Sequence, residues 1–233
     1  MTKAFTHADI DITLPPLKDM LVNGKRFYRR PDDSWIPSVT TVTGWRDREK
    51  WKEWRKQNWD KSQKILRRGT NVHSAIERYI EGKDALREDE ALDVQDMFLN
   101  IKGAIDEHVD NIYGLELPLY GDRVPLAGRV DCIAEFDGEL SIIDFKTTER
   151  MKKPEWCEDY FLQCTAYAML WQERTNIPIK KIVIMMVSGE GECTCFVRNP
   201  IDYVPELKER IDEFYSEFSA DETIEEIAEG HAT

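Results

Sequence analysis

Apolar and polar residues alternate through "GRVDCIAEF" and again through "ELSIIDFK", and the two runs are separated only by Asp137-Gly138. Alternation of this kind predicts strands, and Asp-Gly between two such runs is a strong signal for a tight hairpin turn. The pattern predicts strands from about Leu126 to Phe136 and from Glu139 to Lys146, preceded by one from about Leu115 to Tyr120. Helical spacing dominates elsewhere. It predicts helices from Asp47 to Gln57, Thr70 to Glu81 and Glu88 to Tyr113, the last on Leu92, Ile101, Ile105 and Ile112. Pro154, well suited to a first turn, opens a helix to about Arg174. "KKIVIMMVS" and "CTCFVR" follow as strands, and Val204, Leu207, Ile211, Phe214 and Phe218 mark a final amphipathic helix. Near the start, residues to about Met20 carry little periodicity and read as an extended arm. "VNGKRFYRRPDDSWIPSVTTV" then reads as short strands around a Pro-Asp-Asp-Ser turn, ending in a Ser/Thr-rich stretch.

The 233 residues suffice for one sizeable domain. The longest apolar run, near Ile182 to Val187, has the length of a strand, and no membrane association is expected. The beginning of the chain has neither the order of a signal peptide nor the composition of a transit peptide, so an intracellular, cytoplasmic protein is expected. Five cysteines without CxxC spacing predict reduced thiols.

A formal net charge of −13 opposes nucleic-acid binding on average, but the charge is unevenly distributed. From Arg46 to Arg68 ten Lys/Arg stand against four Asp/Glu, interleaved with Trp51, Trp54 and Trp59. Such a segment suits a phosphate backbone and stacked bases. Its plainer reading is an amphipathic helix with tryptophan inward and Lys/Arg solvated. From Asp202 onward eleven Asp/Glu stand against two Lys/Arg, which predicts a solvated acidic helix face and tail.

If the Asp137-Gly138 turn is tight, Phe136 pairs with Glu139, and counting outward sets Asp131 opposite Asp144 and Arg129 opposite Lys146. Opposed like charges in a sheet are destabilising and call for compensation. Oxygen ligands of this kind suit Mg²⁺ or Mn²⁺. Lys146, two residues beyond Asp144, points to the same face. Gln163 and Tyr167 lie four apart on one face of the next helix, where they either reach a substrate, brace Lys146 or form a buried pair.

Five motifs in order, "IPSVTTV", "RGTNVHSAIE", "GRVD", "DFKT" and "QCTAY", resemble the PD-(D/E)xK nuclease superfamily. Within it they are most similar to the RecB-like exonuclease branch, toward the mitochondrial genome-maintenance exonucleases and their phage relatives. The resemblance spans roughly Arg26 to Val197. It implies an α/β, restriction-endonuclease-like core: a mixed sheet flanked by helices in αβββαβ order, with an N-terminal helical lobe. One nuclease domain would cover residues 1–233, divided into an arm (1–20), N-terminal strands and helical lobe (21–113), a catalytic core (114–200), and a C-terminal helix with an acidic tail (201–233). His73, Asp131, Asp144 and the backbone carbonyl of Phe145 would bind the metal. Lys146, Gln163 and Tyr167 would complete the catalytic set, and Glu116 would be an outer carboxylate or simply a solvated one. Ser38 and Thr40 would lie near the DNA, although both equally read as turn and strand residues. Arg129, Thr147, Lys61, Lys64 and Arg67 complete the expected substrate-facing set. Some RecB-like nucleases hold an iron–sulfur cluster, but these cysteines lack its spacing and no such cluster is expected.

The activity implied is hydrolysis of DNA from free ends by a metal-activated water. Single-stranded DNA is the expected substrate, in replication, recombination or repair, in the cytoplasm of a bacterium or phage-infected host. Alternatives are a structure-specific endonuclease or resolvase on the same fold, and a catalytically silent binding protein that recruits a partner through its acidic end.

Overall fold

The computed structural model describes residues 3–8, 14 and 16–218. A small antiparallel sheet comes first, made of β1 (Lys18–Val22), β2 (Lys25–Arg29) and β3 (Trp35–Pro37). Asn23 and Gly24, both at positive φ, close its first turn. Four helices follow: α1 (Val39–Thr43), α2 (Arg48–Gln57), α3 (Trp59–Ile80) and α4 (Leu92–His108). The main sheet contains β4 (Val109–Tyr120), β5 (Ala127–Phe136), β6 (Glu139–Thr148), β7 (Lys181–Ser188) and β8 (Cys193–Arg198), in that spatial order. Only β6 and β7 run parallel, joined across one face by α5 (Glu158–Thr175), and α6 (Val204–Phe218) ends the described chain. The mixed sheet with flanking helices and an N-terminal helical region is the α/β architecture expected from the sequence.

Alternation along β6 and β7 divides the core. Ile142 and Ile184 face α5 and α6, where Leu162, Trp171 and Phe214 are fully buried. Ile143, Phe145 and Met185 face α3 and α4, against Ile76, Met97 and Ile101. Ten residues of α5 are buried, which fixes this helix firmly beside the end of β6.

Several expected boundaries shift. α4 ends at His108, and the residues to Tyr113 belong to β4. Ile105, Val109 and Ile112 continue a helical spacing across the junction while all being buried, so periodicity alone could not locate it. α3 begins eleven residues before the expected Thr70, because its first half buries only Ser62 and so lacks an apolar stripe. Part of the arm is structured as well: Lys18 already opens β1, and Thr6 and Ala8 bond the backbone of Ile112 in β4. Phe5 packs edge-on against Tyr79 of α3.

α2 contributes no buried residue. Two of the tryptophans expected inward are turned out: Trp51 of α2 is 47% and Trp59, which opens α3, 64% exposed, and Trp51 meets the half-buried Trp54 edge to face. Part of the acidic helix expected to be solvated is instead paired. Glu206 and Glu213 bind Arg46, and Glu217 binds Arg48, whose guanidinium also lies 3.8 Å from the Trp45 ring centre. The acidic tail beyond Phe218 lies outside the described residues. Among those described, no helix is long and apolar enough to cross a membrane.

Candidate metal centre and catalytic cleft

The hairpin turn forms as its sequence predicts, with Asp137 and Gly138 at φ of 51° and 72°. β5 and β6 hold the register Phe136↔Glu139 through Cys132↔Ile143. Beyond that pair the Asp131 carboxylate occupies the gap, and Oδ2 accepts the Phe145 N–H at 3.0 Å. The backbone ladder from Asp131 to Asp144 is replaced by this side-chain bond. Arg129 pairs with Pro118 of β4 and does not extend the ladder to Lys146.

Asp144 is 2% exposed. Its Oδ1 accepts a hydrogen bond from Gln163 Nε2 at 3.0 Å, and its Oδ2 lies 2.6 Å from Lys146 Nζ. Gln163 Oε1 faces the same ammonium at 3.5 Å. Gln163 thus braces both residues from α5. Tyr167, one turn further, is buried against β5. A Cβ at Gly128 would stand 2.6 Å from the Tyr167 hydroxyl, so only glycine lets this ring lie on the strand.

α3 brings His73 over the open end of these strands, with Nδ1 3.5 Å from Asp131 Oδ2. Glu116 arrives from β4, between the Leu115↔Cys132 and Leu117↔Val130 pairs. Its φ of 47° is left-handed, a conformation a non-glycine residue adopts only at a cost. Ligand atoms of His73, Glu116 and Asp131 lie within 4.8 Å of one another. The arrangement differs from the expected one, since Glu116 stands inside this cluster while the Asp144 carboxylate turns toward Lys146 and Gln163.

The electrostatics record crowded acids. Burial, then Asp131 and Glu77, push Glu116 up to about 7. Burial also raises Asp144 to about 6, opposed by Lys146 and helped by Asp131. Burial works against the Lys146 charge, but Asp144 and Asp131 outweigh it and hold its pKa above the ordinary value. His73 is lowered by burial and then by Lys146, which favours the neutral ring a metal requires. Asp144 Oδ2 has the ion pair but no aligned hydrogen-bond donor. An imidazole nitrogen, carboxylate oxygens with raised pKa and an under-satisfied buried oxygen together fit a divalent cation.

A cavity of about 680 Å³ opens beside the cluster, and His73, Glu116, Lys146 and Thr147 line it. Arg26 of β2 lines it too, a cation outside the five motifs that the sequence pattern did not single out. Arg129 Nε sits 4.0 Å from Glu116 at its margin. Lys64 and Arg67 are exposed on α3, whereas Lys61 pairs with Glu149 at 3.3 Å. Ser38 and Thr40 are not brought to the cavity wall. Ser38 is buried and caps α1 by accepting the Thr41 N–H, its hydroxyl also bonding the Thr40 and Thr41 hydroxyls.

The sequence matches the family model of the PD-(D/E)XK nuclease superfamily over residues 96–231, more than half of the chain. It is also 26% identical over 113 residues to the human mitochondrial genome maintenance exonuclease 1. That match covers 48% of this chain and 33% of the human protein, so the chain spans about a third of this relative.

Proposed function

The chain belongs to the PD-(D/E)XK nuclease superfamily, and on that premise we propose that it is a metal-dependent DNA exonuclease acting on free single-stranded ends. One observation carries the reading: His73, Glu116 and Asp131 converge within 4.8 Å beside the Asp144–Lys146 ion pair, on the wall of an open cavity. His73, Glu116 and Asp131 would hold the cation, with Asp144 and the Phe145 carbonyl adjoining. A bound Mg²⁺ or Mn²⁺ supplies Lewis-acid stabilisation of phosphoryl oxygens and a more acidic water.

The protein's own groups do the rest. Lys146, kept charged by its carboxylate neighbours, offers positive charge to the phosphate and orients the nucleophile. Gln163 holds Lys146 and Asp144 together, so neither has to reorganise when the substrate arrives. Arg26 and Thr147 present a guanidinium and a hydroxyl to phosphate oxygens along the cavity. The exposed Lys64 and Arg67 of α3 provide a local attractive field in a protein of charge −13. Trp51 and Trp59 offer stacking surfaces on the approach.

The exonuclease assignment draws on the likeness to the human exonuclease and on the helical region carrying His73. End-labelled DNA, linear and circular, single- and double-stranded, with and without Mg²⁺, tests it. Linear single strands should be cut to short products, circular single strands spared and blunt duplex attacked slowly. Efficient nicking of the circle would replace the exonuclease reading by an endonuclease one.

A further inference from the structure

We propose that the turn between β6 and α5 is a second contact for the DNA strand, in which Trp156 stacks on a base and Lys152 and Lys153 meet the adjacent phosphates. The proposal rests on the nuclease reading above. It concerns a surface that none of the motifs contains.

From Arg150 to Trp156 the chain carries three cations and one carboxylate, Glu155. Arg150 pairs with Glu190 at 3.4 Å, which leaves the two lysines as the turn's available charge. Lys152 Nζ donates to the Tyr160 hydroxyl at 2.7 Å and lies 4.8 Å from that ring's centre. Lys146 Nζ lies 5.0 Å from the same centre. One aromatic ring therefore carries the ammonium of the candidate site and that of the turn, so a strand leaving Lys146 meets Lys152 next.

Trp156 is 65% exposed, yet its backbone is held firmly. Its N–H donates to the Lys153 carbonyl, and the Cys157 N–H donates to that of Pro154, both at 3.0 Å. Cys157, 1% exposed, anchors the turn in the core and its thiol meets the Lys153 carbonyl at 3.5 Å. An indole held out to water on a rigid support, with Lys153 Nζ 5.8 Å from its centre, matches a stacking platform flanked by phosphate-binding charge. Single-stranded DNA supplies both partners at once. A flat base meets the ring, and an anionic backbone meets the lysines.

The test measures binding of a fluorescent oligothymidylate to the full chain in EDTA, where no turnover occurs, for wild type, Trp156→Ala, Trp156→Phe and Lys153→Gln. Trp156→Ala should weaken binding about tenfold, and Trp156→Phe should retain most of the affinity because a π-face remains. Lys153→Gln should lower the slope of log K against log salt by about 0.7. An oligomer containing 5-iododeoxyuridine should crosslink to Trp156, identified by mass spectrometry. Wild-type affinity in Trp156→Ala together with crosslinks only elsewhere overturns the proposal while leaving the nuclease reading intact. A wild-type protein that neither binds nor cleaves any DNA overturns both.

Discussion

Glu116 stands across from Asp131 on neighbouring strands, and it is held there with a left-handed backbone at φ 47°. Two carboxylates face each other, and one is strained to do so. Neither feature favours the empty fold, so both should improve the metal-free protein when removed. Glu116→Gly relieves the backbone and the repulsion together, and its metal-free form should gain about 1 kcal/mol or more, read as a higher melting temperature. The same variant should lose Mn²⁺ binding and DNA cleavage. A fall in metal-free melting temperature would assign Glu116 a structural role.

Asp144→Ala and Lys146→Ala should each abolish hydrolysis with little change in far-UV circular dichroism. Gln163→Ala leaves both reacting groups in place but unbraced. It should lower kcat by about ten- to a hundredfold with a small change in KM, since it acts by positioning. Near wild-type turnover in Asp144→Ala would remove this cluster from the chemistry.

Divalent cations should raise the melting temperature with the logarithm of their concentration above Kd, a stabilisation of about 2.7 kcal/mol at a hundredfold excess over Kd. Mg²⁺ and Mn²⁺ should support cleavage, and Ca²⁺ should allow binding with little turnover because its looser coordination positions water poorly. Cleavage that persists unchanged after exhaustive EDTA treatment would exclude this scheme.

The ion pairs to α6 divide the basic segment in two. Lys64→Gln with Arg67→Gln should flatten the salt dependence of single-strand binding, by about 0.7 in slope for each phosphate no longer neutralised. Arg46→Gln and Arg48→Gln should leave that slope alone and lower thermal stability instead, because their partners are Glu206, Glu213 and Glu217. Equal effects from both pairs would show that the whole segment touches DNA.

The Asp137-Gly138 turn made the hairpin register legible from Phe136↔Glu139 to Cys132↔Ile143, and the expected Asp131/Asp144 and Arg129/Lys146 ladder pairs beyond it do not form. Lys146 beside Asp144 followed from the side-chain period of two, whereas Asp131 reaches β6 through the Phe145 N–H. Two kinds of information were not local enough to read. The placement of Glu116 depends on its own left-handed backbone within a strand that also has Asn111 at positive φ and register shifts at Asp110/Ile112 and Ile112/Gly114, and nothing in "YGLELPLY" announces it. The outward tryptophans were equally hidden. Amphipathic spacing normally means an apolar face against a core, and only the tertiary structure shows that α2 has no core to meet.

That isolation makes α2 exchangeable. Apart from Arg48, which is tied to Trp45 and Glu217, the residues of Arg48–Gln57 make no part of the interior, so substitutions among its exposed positions should cost within about 0.5 kcal/mol each. The exposed positions of this helix can therefore be rewritten without disturbing the packing that holds Asp144 and Lys146. Under the proposed function, the surface offered to a nucleic acid on α2 and the packing around the candidate site are separate, which gives a designer one surface to vary and a core to leave alone.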